Sequence, residues 1–290
     1  MTGRRHGWLG SPVDARRLFW QAWDPDGIPV GAVVIAHGAA EHGGRYAYVA
    51  ERLRSEGYVT YAVDHRGHGR SDGPRALIGR FDHLVEDLGL FMTRVTAEQG
   101  GRRPFLIGHS LGGAVALALA IKHGPRIAGL IVSGPAVATK AVPAPVKAAA
   151  GVLSAMAPRL PVLTIEAAAI SRDPEVVRAY QSDPLNHNDR LPARTLAEIL
   201  RSMDVTRRRL DALRVPLLLL HGSADRLCPP DGSRMVHSLA ASPDKTLRIY
   251  DGLYHEVFNE PERAEVVSDV VSWVRARTSP GDRQTPLATH

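Results

Sequence analysis

Phe105-Leu106-Ile107-Gly108-His109-Ser110-Leu111-Gly112-Gly113-Ala114 is the stretch that decides the fold. A short apolar run breaks at Gly108-His109-Ser110-Leu111-Gly112 and continues into Gly113-Ala114-Val115-Ala116-Leu117-Ala118-Leu119, which has helix-forming character. The pattern reads strand, sharp turn, helix. A Gly-x-Ser-x-Gly turn in that setting lifts a nucleophilic serine on strained backbone. Its neighbours must be almost free of side chains, and Gly108 and Gly112 stand two before and two after Ser110. The hydroxyl is then held clear of the strand, at the positive end of the helix that follows. Glycine loops with this pentapeptide are common, and the flanking strand and helix are what single this one out.

Outward from the elbow, buried strands are expected over 32–36, 58–64, 129–133, 216–222 and 246–250, and helices over 46–56, 81–99 and 261–277. The second of these helices carries Leu84, Leu88, Phe91 and Val95 at helical spacing, and the last carries Val266, Val270, Val271, Trp273 and Val274. Strands alternating with helices imply a mostly parallel sheet covered on both faces. A further strand over 16–23 precedes the turn Asp24-Pro25-Asp26-Gly27 and should pair with the next strand as a hairpin or meander. Residues 1–14 and 279–290 read as poorly ordered ends.

The alternation stops between 134 and 208. That segment is alanine-rich, helical and punctuated by prolines, with no good buried strand. It reads as a cap inserted into a core made of residues 1–133 and 209–290. Val146, Ala149, Leu153, Met156 and Leu160 fall on one helical face, flanked by Lys147 and Arg159. Such a face suits either packing on the core or contact with lipid.

A serine hydroxyl needs a neutral imidazole to take its proton. Asp225 and His255 each follow a strand, in the chain order serine, acid, histidine, so they can converge on Ser110. Asp231 and Asp251 are rival acids. Asp231 lies further into the next segment, and Asp251 is too near His255 in the chain to orient it easily. The roles expected are nucleophile for Ser110, general base and acid for His255, and orientation of the imidazole for Asp225. The oxyanion donors expected are the amides of Leu111, directly after the nucleophile, and of Ala39, in the loop His37-Gly38-Ala39-Ala40. His65 and His68 have H-x-x-H spacing but no third ligand, so no metal or other cofactor is expected. His109 and His221 read as structural.

These residues carry a resemblance to the monoacylglycerol lipases, within the serine α/β-hydrolases. It spans roughly 18–277. Its segments are His37-Gly38-Ala39-Ala40-Glu41-His42-Gly43-Gly44-Arg45-Tyr46, Asp64-His65-Arg66-Gly67-His68-Gly69-Arg70-Ser71, the elbow, Ser182-Asp183-Pro184-Leu185, Gly222-Ser223-Ala224-Asp225-Arg226-Leu227-Cys228 and Tyr254-His255-Glu256. The resemblance implies an α/β-hydrolase fold, with a doubly wound eight-stranded sheet and a membrane-apposed cap. It implies cleavage of monoacylglycerol to fatty acid and glycerol. It also implies that Glu41, Arg45 and Tyr180 lie near the glycerol end, with Cys228 bordering it. Mammalian members carry a histidine where Phe258 stands and a methionine where Leu111 stands. A homodimer is compatible with this reading. Another carboxylesterase or a lysophospholipase with the same triad, and a non-catalytic receptor on the same fold, are the alternatives.

The 290-residue chain is 44% hydrophobic and 23% charged, as expected of a globular protein with a sizeable core. It has no apolar run of the roughly 20 residues that span a bilayer, and no apolar region follows Arg4 and Arg5 as a secretory signal requires. A cytoplasmic or peripherally membrane-bound bacterial protein is the expectation. Cys228 is the single cysteine, so an internal disulfide is excluded. The net charge of +6 and the pI near 9.8 come from dispersed arginines, apart from Arg207-Arg208-Arg209. No aromatic-interleaved basic stripe is present, which argues against nucleic-acid binding.

Overall fold

The elbow strand, β5 (Phe105–His109), lies inside an eight-stranded sheet of the computed structural model, which describes residues 3–137 and 144–278. The other strands of this sheet are β1 (Arg4–Gly10), β2 (Arg17–Trp23), β3 (Gly31–Ala36), β4 (Tyr58–Val63), β6 (Gly129–Ser133), β9 (Leu217–Gly222) and β10 (Lys245–Tyr250), in the order β1-β2-β4-β3-β5-β6-β9-β10. From β4 to β10 all neighbours are parallel, while β1/β2 and β2/β4 are antiparallel.

Alternation of side chains explains the continuous apolar runs. Along β3, Ala32, Val34 and Ala36 enter one core, and Val33 and Ile35 enter the other. The first core is closed by α2 (Phe81–Glu98), α3 (Leu111–His123) and α7 (Asp231–Leu239), the second by α1 (Ala47–Ser55) and α8 (Arg263–Arg277). The five residues anticipated on the buried face of α8 are all buried. Because the strands from β3 onward are parallel, the loops after β3, β5, β6, β9 and β10 leave the same edge of the sheet.

Two expectations are corrected here. Residues 4–10 form β1 rather than a loose lead-in. Its sequence is polar and its residues are mostly exposed, so apolar periodicity could not show it; pairing with β2 and the Trp20 ring beside Gly7 hold it. β2 pairs with β1 and β4, not with β3, so the hairpin lies on its other side. The segment between β6 and β9 contains two short antiparallel strands, β7 (Pro161–Leu163) and β8 (Leu191–Pro192), besides α4 (Ala144–Met156), α5 (Pro174–Ser182) and α6 (Ala193–Arg207). The expected tail at 279–290 lies outside the described residues.

α4 packs on α6 with Ala150 and Ser154 buried, and Lys147 turns inward to Asp204 at 2.8 Å instead of flanking an outer cationic rim. Val152, Met156, Leu160 and Leu163 are left exposed, with Met156 81% exposed, and Leu153 is half-buried. The side chain of Val146 lies outside what the structure describes. α6 fastens this segment to the sheet domain. Thr195 Oγ1 donates to Ala76 O at 2.6 Å, and Glu198 Oε2 accepts from Phe81 N at 2.8 Å. Among the described residues no helix is long and apolar enough to cross a membrane.

Candidate active site

Ser110 sits at φ 52° and ψ −116°, backbone that a residue with a Cβ rarely adopts. Neighbouring contacts over-determine it. Ser110 N donates to Ser133 O at 2.9 Å, while Ser110 O accepts from Ala114 N at 3.1 Å and Ala136 N at 3.2 Å. A Cβ on Gly112 would stand 2.2 Å from Ala36 O and 2.3 Å from His37 O, and one on Gly108 would stand 2.6 Å from Gly112 O. Gly112 is needed because the elbow crosses the end of β3 at backbone contact distance, and Gly108 because the elbow folds back on itself. Leu111 opens α3, so its N–H has no acceptor one turn back in the helix.

Three loops face the elbow: one after β9, one after β10 that carries His255, and one after β3. After β9, Asp225 is buried and accepts at both oxygens. His255 Nδ1 lies 2.7 Å and His221 Nε2 3.0 Å from Oδ2, and the N–H groups of Leu227 and Cys228 lie 2.8 and 2.9 Å from Oδ1. Burial alone would raise its pKa. The bonds from His221 and His255 override that and hold the carboxyl well below the usual range, so it is ionised. Burial likewise opposes charge on His255, but Asp225, then Glu256 and Glu41, outweigh it and lift the imidazole above its usual value. Of the rival acids, Asp231 opens α7 with its side chain 82% exposed, and Asp251 bonds Ser223 Oγ at 3.1 Å.

His221, expected to be structural, reaches the site as a partner of Asp225. It also donates at Nε2 toward Cys228 O at 2.7 Å, so it braces the turn that carries Asp225. The His109 ring lies against that of His255, tilted by 53° with centroids 4.6 Å apart, and burial followed by the charge of His255 pushes it down to about 3, leaving it neutral.

After β3, the loop is held from both sides. His65 N donates to His37 Nε2 at 2.9 Å, which puts the ring proton on Nδ1; Nδ1 then donates to Gly38 O at 2.7 Å. In a trans peptide the next N–H points the opposite way, so Ala39 N–H faces away from His37. Gly38 N donates to Glu41 Oε1 at 2.6 Å. The brace from this side is the main-chain amide of His65, while the His68 ring bonds its own turn, at Arg66 O. Burial keeps His65 down to about 3 and His68 to about 4. No metal-holding group of three or more His, Cys, Asp or Glu occurs among the described residues.

Ser110, His255, Leu111, Gly38 and Ala39 line one cavity of about 290 Å³. Glu41, Tyr180 and Cys228 line it too; Arg45 does not, and lies behind them with its guanidinium 4.8 Å from the Tyr180 ring centroid. Burial and Asp225 push the Cys228 thiol up, so it is neutral. The rest of the wall is mainly apolar and includes Leu163, Ile165, Leu196, Ile199, Leu200 and Met203 from the inserted segment. This arrangement can perform acyl transfer. Glu256 also lines the cavity and was not singled out in sequence; its position beside His255 was the available signal.

The Hydrolase_4 family model, described as serine aminopeptidase S33, matches residues 27–262. The monoacylglycerol lipase of Mycolicibacterium smegmatis is 43% identical over 277 residues, covering 94% of this chain and 97% of its own. The chain belongs to the monoacylglycerol lipase family. The human monoglyceride lipase is 36% identical over 278 residues, with 94% and 92% covered. The crystal structure of a family member from Paleococcus ferrophilus superposes with a TM-score of 0.81 at 31% identity, covering 90% of this chain and 99% of that one. The family match thus embraces the elbow, the three facing loops and the segment between β6 and β9.

Proposed function

We infer that the protein hydrolyses the ester bond of monoacylglycerols, releasing fatty acid and glycerol through an acyl-enzyme. The observation that carries the residue assignment is the shared cavity: Ser110 and His255, the latter backed by the buried Asp225, open onto a mostly apolar space with a polar end. Ser110 Oγ attacks the acyl carbonyl and passes its proton to His255 Nε2. Asp225 keeps the other proton on Nδ1 and supports the imidazolium. The oxyanion takes the N–H groups of Leu111 and Ala39. The ester C–O bond breaks, and His255 returns the proton to the leaving glycerol oxygen. Water, deprotonated by His255, then attacks the acyl carbonyl and frees the fatty acid and Ser110.

The acyl chain lies along the apolar wall. Glu41, Tyr180 and Cys228 flank the glycerol end, with Arg45 acting from behind Glu41. Residues 134–208 act as a cap, and the exposed Val152, Met156 and Leu160 meet a lipid surface peripherally. The test compares mono-, di- and triacylglycerol and lysophospholipid in vesicles, using the natural protein and Ser110→Ala. Monoacylglycerol turnover that exceeds the others and vanishes in Ser110→Ala is expected. Faster turnover of lysophospholipid would overturn the substrate assignment.

A further inference from the structure

Arg45 lies behind the cavity wall and joins Glu41 and Glu256, which line it, in a buried trio with side-chain exposures of 9, 4 and 6%. Arg45 Nη1 donates to Glu41 Oε2 at 2.8 Å and to Glu256 Oε1 at 2.6 Å, and Nη2 donates to Glu256 Oε2 at 2.7 Å. The outer bonds reach both catalytic loops. Glu41 Oε1 accepts from Gly38 N and from the Tyr46 hydroxyl at 2.7 Å; Glu256 Oε2 accepts from Asn259 Nδ2 at 2.8 Å. One ionic chain therefore runs from the loop that presents Ala39 to the residue next to His255.

The charges do not balance within the trio. Arg45 overrides burial and holds Glu256 down to about 2, so that pair is ionised; burial and Glu256 push Glu41 up against the pull of Arg45 and its two donors. With both carboxylates ionised, one guanidinium serves two anions. A surplus buried charge is unfavourable unless a cation can meet it. The groups around His255 are Asp225 from the β9 loop, His109 from β5, Cys228, Glu41 and Arg45 from the β3 loop, and Glu256. His109 and Cys228 are neutral, and so are Tyr46 and Tyr180, whose phenols burial raises. Glu41 accepts from three donors, Gly38 N, the Tyr46 hydroxyl and Arg45 Nη1, which favours its carboxylate form; with it ionised, three carboxylates and one guanidinium remain.

We propose that Glu256 is a positioning residue that ties the oxyanion loop to the histidine loop through Arg45 and Glu41, and that its charge supports the imidazolium formed on His255 during acylation. This rests on the role assigned to His255 above. Removing either carboxylate leaves a neutral Arg–Glu pair and abolishes the surplus. A shorter acid at position 256 keeps the charge and loses the bidentate reach.

The experiment measures kcat and KM for a soluble short-chain ester from pH 4.5 to 9 in Glu256→Gln, Glu256→Asp and Glu41→Gln. Ser110→Ala and His255→Ala serve as controls. In Glu256→Gln, kcat should fall about tenfold with KM changed less than about twofold, as expected when positioning rather than substrate binding is lost. The acid-side midpoint of kcat/KM should move down by about 0.5 to 1 unit, because a nearby anion that favoured the protonated ring is gone. Glu256→Asp should lose kcat without that movement. Glu41→Gln should move the midpoint in the same direction, which keeps the proposal testable if Glu256→Gln does not fold. An unmoved midpoint in the folded Gln variants would overturn it. Full activity in the Ser110→Ala or His255→Ala control would instead refute the triad.

Discussion

Replacing Asp225 by Asn tests the site at its most constrained atom. Oδ1 accepts two backbone N–H groups, from Leu227 and Cys228, and those donors cannot reverse. The amide oxygen of Asn must stay there, so its NH₂ faces His255 Nδ1 and His221 Nε2, where Oδ2 accepted at 2.7 and 3.0 Å. His255 must then present a bare Nδ1 and carry its proton on Nε2, where it can no longer take one from Ser110. A wrong tautomer of this kind lowers kcat by about 10⁴-fold, or about 5.5 kcal/mol of barrier. The fold should survive. His221 keeps Cys228 O as an acceptor, and the loss of charge-assisted bonds, about 1–3 kcal/mol, is partly offset because a buried anion disappears. The assay is short-chain ester hydrolysis at saturating substrate, with the melting temperature followed by circular dichroism. A folded Asp225→Asn protein with kcat within about tenfold of the natural one would refute the tautomer argument and return the acid's role to Asp231 or Asp251.

His255 lies above the usual imidazole value, so kcat/KM should fall on the acid side with a midpoint above about 6.5; a flat profile from pH 5 to 8 would refute this base. Asp225 lies below its unfolded value, so its share of stability is present above about pH 4 and is lost as pH falls further, which acid titration followed by circular dichroism should show. Gly112→Ala drives a methyl into two backbone carbonyls that cannot turn aside, and should destabilise by about 1–3 kcal/mol or more in urea titration. Val152→Ser with Met156→Ser removes exposed side chains whose transfer into lipid is worth roughly 3 kcal/mol together. Vesicle binding should weaken roughly 100-fold at an unchanged melting temperature, and equal loss of soluble-ester activity would place this face in the core instead.

Sequence reading reached the elbow, the buried strands and α8 because each has a local signature. Gly108-His109-Ser110-Leu111-Gly112 encodes its own turn, and an apolar run such as Leu217–Leu220 has no stable place outside a covered sheet. β1 escaped because a polar edge strand has no apolar period; its partner defines it. α7 escaped because it is only nine residues long, too short for its few apolar positions, Met235, Val236 and Leu239, to establish a period. The orientation of Lys147 was misjudged for a related reason. A helical wheel shows a face but not the neighbour it meets, and here Asp204 on α6 draws the ammonium inward.

Chain order alone named Ser110, Asp225 and His255 as a candidate set and placed them after strands, because strand-end loops of a parallel sheet share one edge. Tertiary structure decided which acid meets the imidazole, since Asp225, Asp231 and Asp251 differ chiefly in where β9, α7 and β10 carry them. It also decided that Arg45 stands behind the cavity, clamped between Glu41 and Glu256, residues 4 and 211 positions away. Local sequence sets what a segment can form from its own dihedrals and periodicity. Contacts across such distances depend on the whole chain closing, because their geometry and burial exist only once the sheet has brought the loops together.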